Sequence, residues 1–498
     1  MKTFCTLVLA AFAAVVASAA DYDEPIVVIV NGVSSEQSAT ITVEQQGTTY
    51  DLTLKNFMLM SEDGPIGVGN VAITGIEPEN VGNAIILQTS QTITLTPGDD
   101  PSVPIWMASM LPPVPVNLVG KLENDHLRCY IHIDMTESLQ QIIEVTVGKG
   151  YQLRNQGFEY WHTSTDEYVE PNGWHSFESA SGTLALLAGH HIKKSADAHS
   201  GSACACIYST SIFGIVANGT MTTGRLNAGS MIAADATNNA YLDMSLTDVD
   251  GNGDYFYTLM YSRPDSVAVW VKFKQGKANA DNPYATISAV ITDGTYYQDP
   301  EDKAYTNVVA RATCNTIAQT DGNWVRVVAP FEYTEDNVSQ QAILLTASTN
   351  ANPGMGSGGD ELLVDDVELI YNARLASLKV QGQEVPGFDS HQQTYEIEVD
   401  KPVTLEDIEA VADGKAAIID KKIEAKEDCQ ECLITVFSGD MGQKTTYLIV
   451  AKNQTSGISN VMNNMETNKA IFNLNGQRVE KAQKGIYITQ GRKVIRVK

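Results

Sequence analysis

Basic side chains are scarce in this chain. Lys and Arg number 33 against 60 Asp and Glu, a formal net charge of −27. A surface of that sign repels phosphate backbones and excludes nucleic acid as a partner. Cysteine is sparse as well, with 7 in 498 residues, so the fold is not a disulfide scaffold. Beyond the first twenty residues, no stretch reaches the roughly 18 consecutive apolar residues of a membrane helix. Sustained helical periodicity is missing. No G-x-S-x-G elbow, H-E-x-x-H or phosphate-binding loop occurs, and no organic cofactor is expected.

What is present begins with two contrasting ends. Met1-Lys2, an apolar run from Leu7 to Ala17 and the small residues Ala17-Ser18-Ala19-Ala20 make residues 1–20 an expected signal peptide. The chain is then exported, to the cell surface, the outer membrane or the medium. The other end, residues 469–498, holds eight basic side chains and one acidic one, Glu480. Cys5 leaves with the leader. Cys204 and Cys206 alternate along a strand and share a face, a poor geometry for bridging each other. Cys429-Gln-Glu-Cys432 is spaced either to bridge across a tight turn or to leave two free thiols.

Period-two alternation dominates between the ends and predicts an all-β, multidomain chain. Tyr50, Leu52 and Leu54 alternate with polar residues. So do Cys129, Ile131, Ile133 and Met135, then Leu242, Met244 and Leu246, then Val267, Val269, Val271 and Phe273, then Tyr395, Ile397 and Val399. Gly, Asn, Asp and Pro punctuate these runs. The punctuation divides the chain into 21–149, 151–372, 373–452, a linker at 453–468 and the tail.

Thr49-Tyr-Asp-Leu-Thr-Leu-Lys-Asn-Phe57, Ile66-Gly-Val-Gly-Asn70, Thr92-Ile-Thr-Leu-Thr-Pro97 and Cys129-Tyr-Ile-His-Ile-Asp134 lie in the first segment. With them it resembles the calycin-like β-barrel domains of secreted Bacteroidota proteins. Such a barrel encloses one small ligand or packs shut. The second segment carries Asn155-Gln-Gly-Phe-Glu159, Asn172-Gly-Trp-His175, Arg263-Pro-Asp-Ser266 with Trp270, Trp324-Val-Arg-Val327, and Leu363-Val-Asp-Asp-Val-Glu-Leu369. It resembles the carbohydrate-metabolism domain of the same proteins, a jelly-roll β-sandwich similar to carbohydrate-binding modules. The third, with Leu375, Leu378, Val380, Gly387-Phe388 and Tyr447-Leu-Ile-Val450, is similar to a small cadherin-like or immunoglobulin-like β-sandwich. The tail, with Asn473-Leu-Asn-Gly-Gln-Arg-Val479 and Lys484-Gly-Ile-Tyr-Ile488, is similar to type IX sorting signals. That resemblance implies secretion machinery as a partner.

The jelly-roll resemblance implies a structural calcium where first and last strands meet, at Glu159, Asp365 and Asp366. Carboxylates crowded there repel unless a hard cation takes their oxygens or backbone N–H groups do. Asp365 reads as in phase with Leu363, Val367 and Leu369, leaning toward an apolar layer. Asp248-Val-Asp-Gly-Asn-Gly-Asp254 mimics half of a calcium loop, but position 12 is Leu259, so it reads as a hairpin turn. Aromatic rings are the usual sugar platforms. Trp270 is the first candidate, on the polar face of its strand beside Lys272 and Lys274, where either solvent or a loop lies over it. Trp161, Tyr168, Trp174, Tyr296 and Tyr297 flank turns and are platforms or loop anchors, while Trp324 is expected in the core. His190-His191 point opposite ways on a strand, and His162, His175 and His199 are scattered.

The Glu-x-Asp-x-x-Glu run of jelly-roll glucanases is missing, since Glu398-Val-Asp400 fails at Val403. The expected function is non-catalytic binding of a polysaccharide or glycoconjugate by the jelly roll. The alternatives are a structural or adhesive surface protein without sugar ligand, and a glycoside hydrolase whose acids meet only in space.

Overall fold

The computed structural model describes residues 18–61, 64–165, 168–212, 214–334 and 339–453, and four short strands between 471 and 497. Residues 1–17 of the expected signal peptide (1–20) and the expected linker from 454 onward lie outside the described residues. Strands make up nearly all the regular structure, and the α-helices are single turns such as Thr136–Leu139 and Ala185–Ala188. The chain is an all-β, multidomain protein. It forms two compact units: residues 1–376 with 412–420 and 435–445, and residues 377–411 with 421–434 and 446–498.

The first unit opens with a meander of β1 (Ser18–Val30), β2 (Val33–Gln46), β3 (Thr49–Ser61), β4 (Gly64–Ile76), β5 (Pro78–Val81), β6 (Ala84–Ile93), β7 (Val114–Glu123), β8 (His126–Met135) and β9 (Gln141–Val147). They form one antiparallel sheet in the order β4-β3-β2-β1-β9-β8-β7-β6-β5. The two ends of that order are consecutive in the chain, so the sheet curls onto itself: Ile76 pairs with Tyr50, and Pro78 with Leu87. Two-residue turns such as Asn31-Gly32, both at positive φ, match the strand twist. Alternate residues turn inward, among them Ile26, Val28, Ile41, Val43, Val116, Leu118, Leu127 and Cys129, and fill the interior with side chains. On the outside, Ile418 and Phe437 pack on Ala84, Ile86 and Val119.

A two-sheet β-sandwich follows. Its five-stranded sheet runs Ile192–Ser195, Cys204–Tyr208, Glu361–Ile370, Ser266–Lys274, Val325–Pro330. Its second sheet runs Thr220–Thr222, Ala342–Ser348, Ala285–Thr292, Val308–Ile317, Glu332–Tyr333, with Thr258–Leu259 pairing Ala342–Ser348. Val267, Val269, Val271 and Phe273 face Ile287, Ala289, Ile291, Ile343, Leu345 and Ala347 across one core. A three-stranded sheet, Arg225–Ala228, Asn238–Leu242 and Tyr297–Asp299, lies outside the second sheet. There Leu226, Leu242 and Tyr297 cover Val290, Val308 and Leu344.

Two strand readings need correction. The run Leu242, Met244, Leu246 is a strand only to Leu242. Asp243 Oδ1 takes the Ser245 N–H at 2.9 Å, an Asx turn that competes with the ladder, and Leu246 is exposed. Cys429 and Cys432 do not flank a turn. Both lie on the strand Cys429–Phe437, three residues apart on opposite faces, and all six described cysteines are free.

The last part of the chain before the tail forms a three-stranded sheet (Gln383–Glu384, Leu375–Val380, Ile408–Ala412) and a four-stranded one (Thr394–Val399, Lys444–Asn453, Cys429–Phe437, Ile418–Ala425), several of whose strands run from one unit into the other. Thr394–Val399 runs parallel to Leu448–Asn453. The rings of Phe388 and Tyr447 pack 6.2 Å apart, and Tyr447 Oη donates to Ser390 O at 2.7 Å. In the tail, Arg478–Val479, Ile471–Phe472, Gly485–Thr489 and Lys493–Val497 form a separate antiparallel sheet.

Candidate functional site

Four of the residues singled out from sequence meet at one loop, residues 197–203. Trp270 sits on the outer face of the five-stranded sheet, opposite Asp365. A bulge breaks the register there, with Asp366 at φ +43°. That extra residue overturns the expected phase. Leu362 and Val364 before it, and Val367 and Leu369 after it, face the core, while Asp365 points outward beside Trp270. Asp365 is nonetheless fully buried, because the loop lies over it. Its Oδ2 accepts the N–H groups of His199 at 2.7 Å and Ser200 at 3.3 Å. Asp366 accepts from Ser200 Oγ at 2.8 Å and faces His199 Nδ1 at 2.6 Å. Glu159 accepts from the N–H groups of Ser202 and Ala203 at 2.8 and 3.1 Å. A Cβ at Gly201, which adopts φ +64°, would collide with the Glu159 carboxylate. As placed, the three acids do not fit a calcium cage. Their oxygens are spent on loop donors.

The same loop occupies a face of the leading aromatic candidate. His199 stacks on Trp270 with ring centroids 3.8 Å apart and planes 13° from parallel. Lys272 Nζ lies between the Asp197 carboxylate, at 2.7 Å, and the Trp324 ring, 5.0 Å away. Trp324 is therefore not in the core. It is half-buried on this outer surface. Trp174 is wholly buried, its ring 5.1 Å from Phe158 and its Nε1 donating to Arg154 O, so no face is left for a ligand. Tyr297 is buried in the core under the three-stranded sheet. Trp161 packs half-buried against the main core, donating to Phe158 O. Tyr168 is exposed at a hairpin and stacks on His190. Tyr296 is exposed, its Oη donating to Gln298 Oε1 at 2.7 Å. These rings lie at separate places and do not line one groove.

A cleft lies elsewhere, on the outward face of the second sheet, with a volume of about 510 Å³. The three-stranded sheet covers only the apolar half of that face. The polar half is left as a floor. Its side chains form two rungs that cross four strands. Thr346, Ser288 and Thr313 are cross-strand neighbours in one, with buried Thr222 pairing Thr346 beyond the cleft lining. Thr220, Ser348 and Thr286 continue in the other, where Thr286 Oγ1 donates to Asn315 Oδ1 at 2.5 Å. Successive same-face residues put the rungs roughly 6.8 Å apart. Exposed Leu187, Ile215 and Met231 form an apolar rim. Asp299 is the single carboxylate of the lining. Burial pushes it above the usual carboxylate range, against the hydrogen bond from Ser288 Oγ at 3.0 Å. The polar floor has a local signal in the sequence that the aromatic residues do not share. Thr220-x-Thr222, Thr286-x-Ser288, Thr313-x-Asn315 and Thr346-x-Ser348 each put two polar residues two apart in a strand.

Residues 19–148 match the family described as Calycin-like beta-barrel domain, as the first segment's resemblance implied. No curated protein matches the chain, and no solved structure matches it.

Proposed function

We propose that the chain is a non-catalytic glycan-binding protein of the cell exterior, and that the saccharide lies on the polar rungs of the central sandwich. The observation behind this is the cleft floor: hydroxyl and amide groups in two rows, free to exchange hydrogen bonds with sugar hydroxyls, beneath an apolar rim suited to C–H faces. A cation-dependent or phosphate ligand would want charge there, and the lining offers only Asp299. A retaining hydrolase needs two carboxylates about 5–5.5 Å apart. The curled meander, the second unit and the tail then serve as spacers and export signals.

The test is retention on immobilised polysaccharides by affinity electrophoresis. Asn315→Ala and Thr313→Val, both exposed, should weaken retention at least about tenfold while Trp270→Ala leaves it unchanged. Retention indifferent to all three substitutions, or absent for every polysaccharide, would favour the structural or adhesive reading. Release of reducing ends would favour the hydrolase.

A further inference from the structure

A different set of polar side chains converges inside the first unit. His162 lies on the strand Trp161–Thr165 and pairs directly with Glu170 on Tyr168–Pro171. His175 follows a few residues on. Asp250 comes from the loop 248–254, closed by a bridge between Val249 and Tyr255. The side chains of Asp250 and His175 are fully buried, Glu170 is fully buried, and His162 is 9% exposed. Ligand atoms of His162, Glu170 and Asp250 all lie within 4.8 Å of one another. Asp250 Oδ2 is 3.5 Å from His162 Nε2 and 3.4 Å from His175 Nε2.

Three of the four are anchored at one end and bare at the other. His162 Nδ1 faces Asn172 Oδ1 at 3.1 Å. Glu170 Oε1 accepts from Ser176 N at 2.7 Å, Ser176 Oγ at 2.5 Å and Ser179 Oγ at 3.1 Å. Asp250 Oδ1 accepts from Asn252 N at 2.8 Å and Asp254 N at 2.9 Å. The opposite atoms, His162 Nε2, Glu170 Oε2 and Asp250 Oδ2, are buried with no hydrogen-bond partner, as are both nitrogens of His175. Two carboxylates in a dry site cost several kcal/mol each unless protonated imidazoles or a cation offset them. The imidazole contacts to Asp250, at 3.4 and 3.5 Å, are long for N–H···O bonds, and Glu170 Oε2 has no hydrogen-bond partner. Those separations do match the edge of a coordination tetrahedron, about 3.3–3.4 Å for ligands at roughly 2.0–2.1 Å from a metal.

We propose that His162, Glu170 and Asp250 bind a tetrahedrally coordinated divalent metal of the zinc class, with His175 next to Asp250 but outside the three-donor cluster. Mixed imidazole and carboxylate donors select such a metal over calcium, which takes six to eight oxygens. Asn172 holds the His162 tautomer that leaves Nε2 free. The burial of the donors keeps bulk solvent from the site and suits a structural role. The site ties the hairpin 161–171 to the loop 248–254 and so closes a long stretch of chain. No residue of this site belongs to the proposed glycan cleft, so either reading can fail without the other.

The experiment is metal analysis of the full chain. Protein stripped with chelator and titrated with zinc chloride should take up one equivalent. Cobalt chloride should give the ligand-field absorption of tetrahedral Co²⁺. Zinc should raise the thermal midpoint of the stripped protein. Asp250→Asn and His162→Ala should lose the cobalt spectrum and the zinc-dependent shift, whereas Asp365→Asn keeps both. Absence of stoichiometric zinc and of the cobalt spectrum in the wild-type chain overturns the proposal, a result that needs no variant to fold. Undiminished cobalt binding in folded Asp250→Asn and His162→Ala overturns it too.

Discussion

His199 lies face to face with Trp270, and the backbone N–H of the same histidine is held by the buried Asp365 across the strand from that tryptophan. The loop and the ring are therefore coupled through one residue. An offset aromatic stack contributes about 0.5–1.5 kcal/mol beyond area burial. His199→Ala should cost stability of that order and open one face of Trp270 to solvent. Acrylamide quenching of tryptophan fluorescence should rise in the variant. Unchanged quenching would mean that other atoms cover the ring.

Lys121 and Glu123 form an ion pair at 2.6 Å with both side chains almost wholly buried. The pair does not stand alone: Lys121 Nζ donates to Gly439 O at 2.7 Å, and Gln340 Nε2 donates to Glu123 Oε1 at 2.6 Å. It joins β7 of the meander to segments far along the chain. Burial draws the Lys121 ammonium below the usual lysine range, and Glu123 opposes that shift. Removing one partner strands the other charge, so Glu123→Ala should lose about 3–5 kcal/mol in denaturant unfolding. The double variant Lys121→Met/Glu123→Leu should be more stable than either single change. If it is less stable than both, the pair contributes net stability.

Legibility in the sequence followed the range of the interaction. Alternation at Val267–Phe273 suffices to place that strand and its buried face, because period two is a local property. Asp365 departs from the alternation for an equally local reason: one inserted residue at Asp366 reverses the face of everything beyond it. The polar rungs are a different case. Each strand shows its polar pair, but their alignment depends on pairings between residues as far apart as Thr220 and Ser348. The His162–Asp250 convergence is likewise invisible until the fold brings the loop to the hairpin.

Four thiols are shielded. Burial pushes Cys129 and Cys204 up to about 12, and Cys206 and Cys432 up to about 11. In the unfolded chain the same thiols ionise near their ordinary value of 9.0. Their contribution to stability is therefore full below about pH 9 and is lost as pH rises toward 11–12. At pH 8 a thiol reagent should label half-buried Cys314 and Cys429 in native protein and reach the other four only in denaturant. Rapid native labelling of all six would show that the strands bearing them open readily.

Asp299 separates fold from function in one substitution. Burial raises its carboxyl above the ordinary 3.8, so the folded chain favours the neutral acid. Its stability contribution is present at low pH and is lost as pH rises from that ordinary value through the raised one. Asn at 299 keeps an acceptor for Ser288 Oγ and removes the buried charge. Asp299→Asn should accordingly be more stable than the native chain at neutral pH, and the gap should close on acidification below pH 4. Glycan retention should survive, since the rungs supply hydroxyls and amides without it. A glycoside hydrolase working at this cleft would have Asp299 as the one lining carboxylate available to it. Loss of any measured hydrolysis in the Asn variant, with retention intact, would reassign the cleft from binding to catalysis.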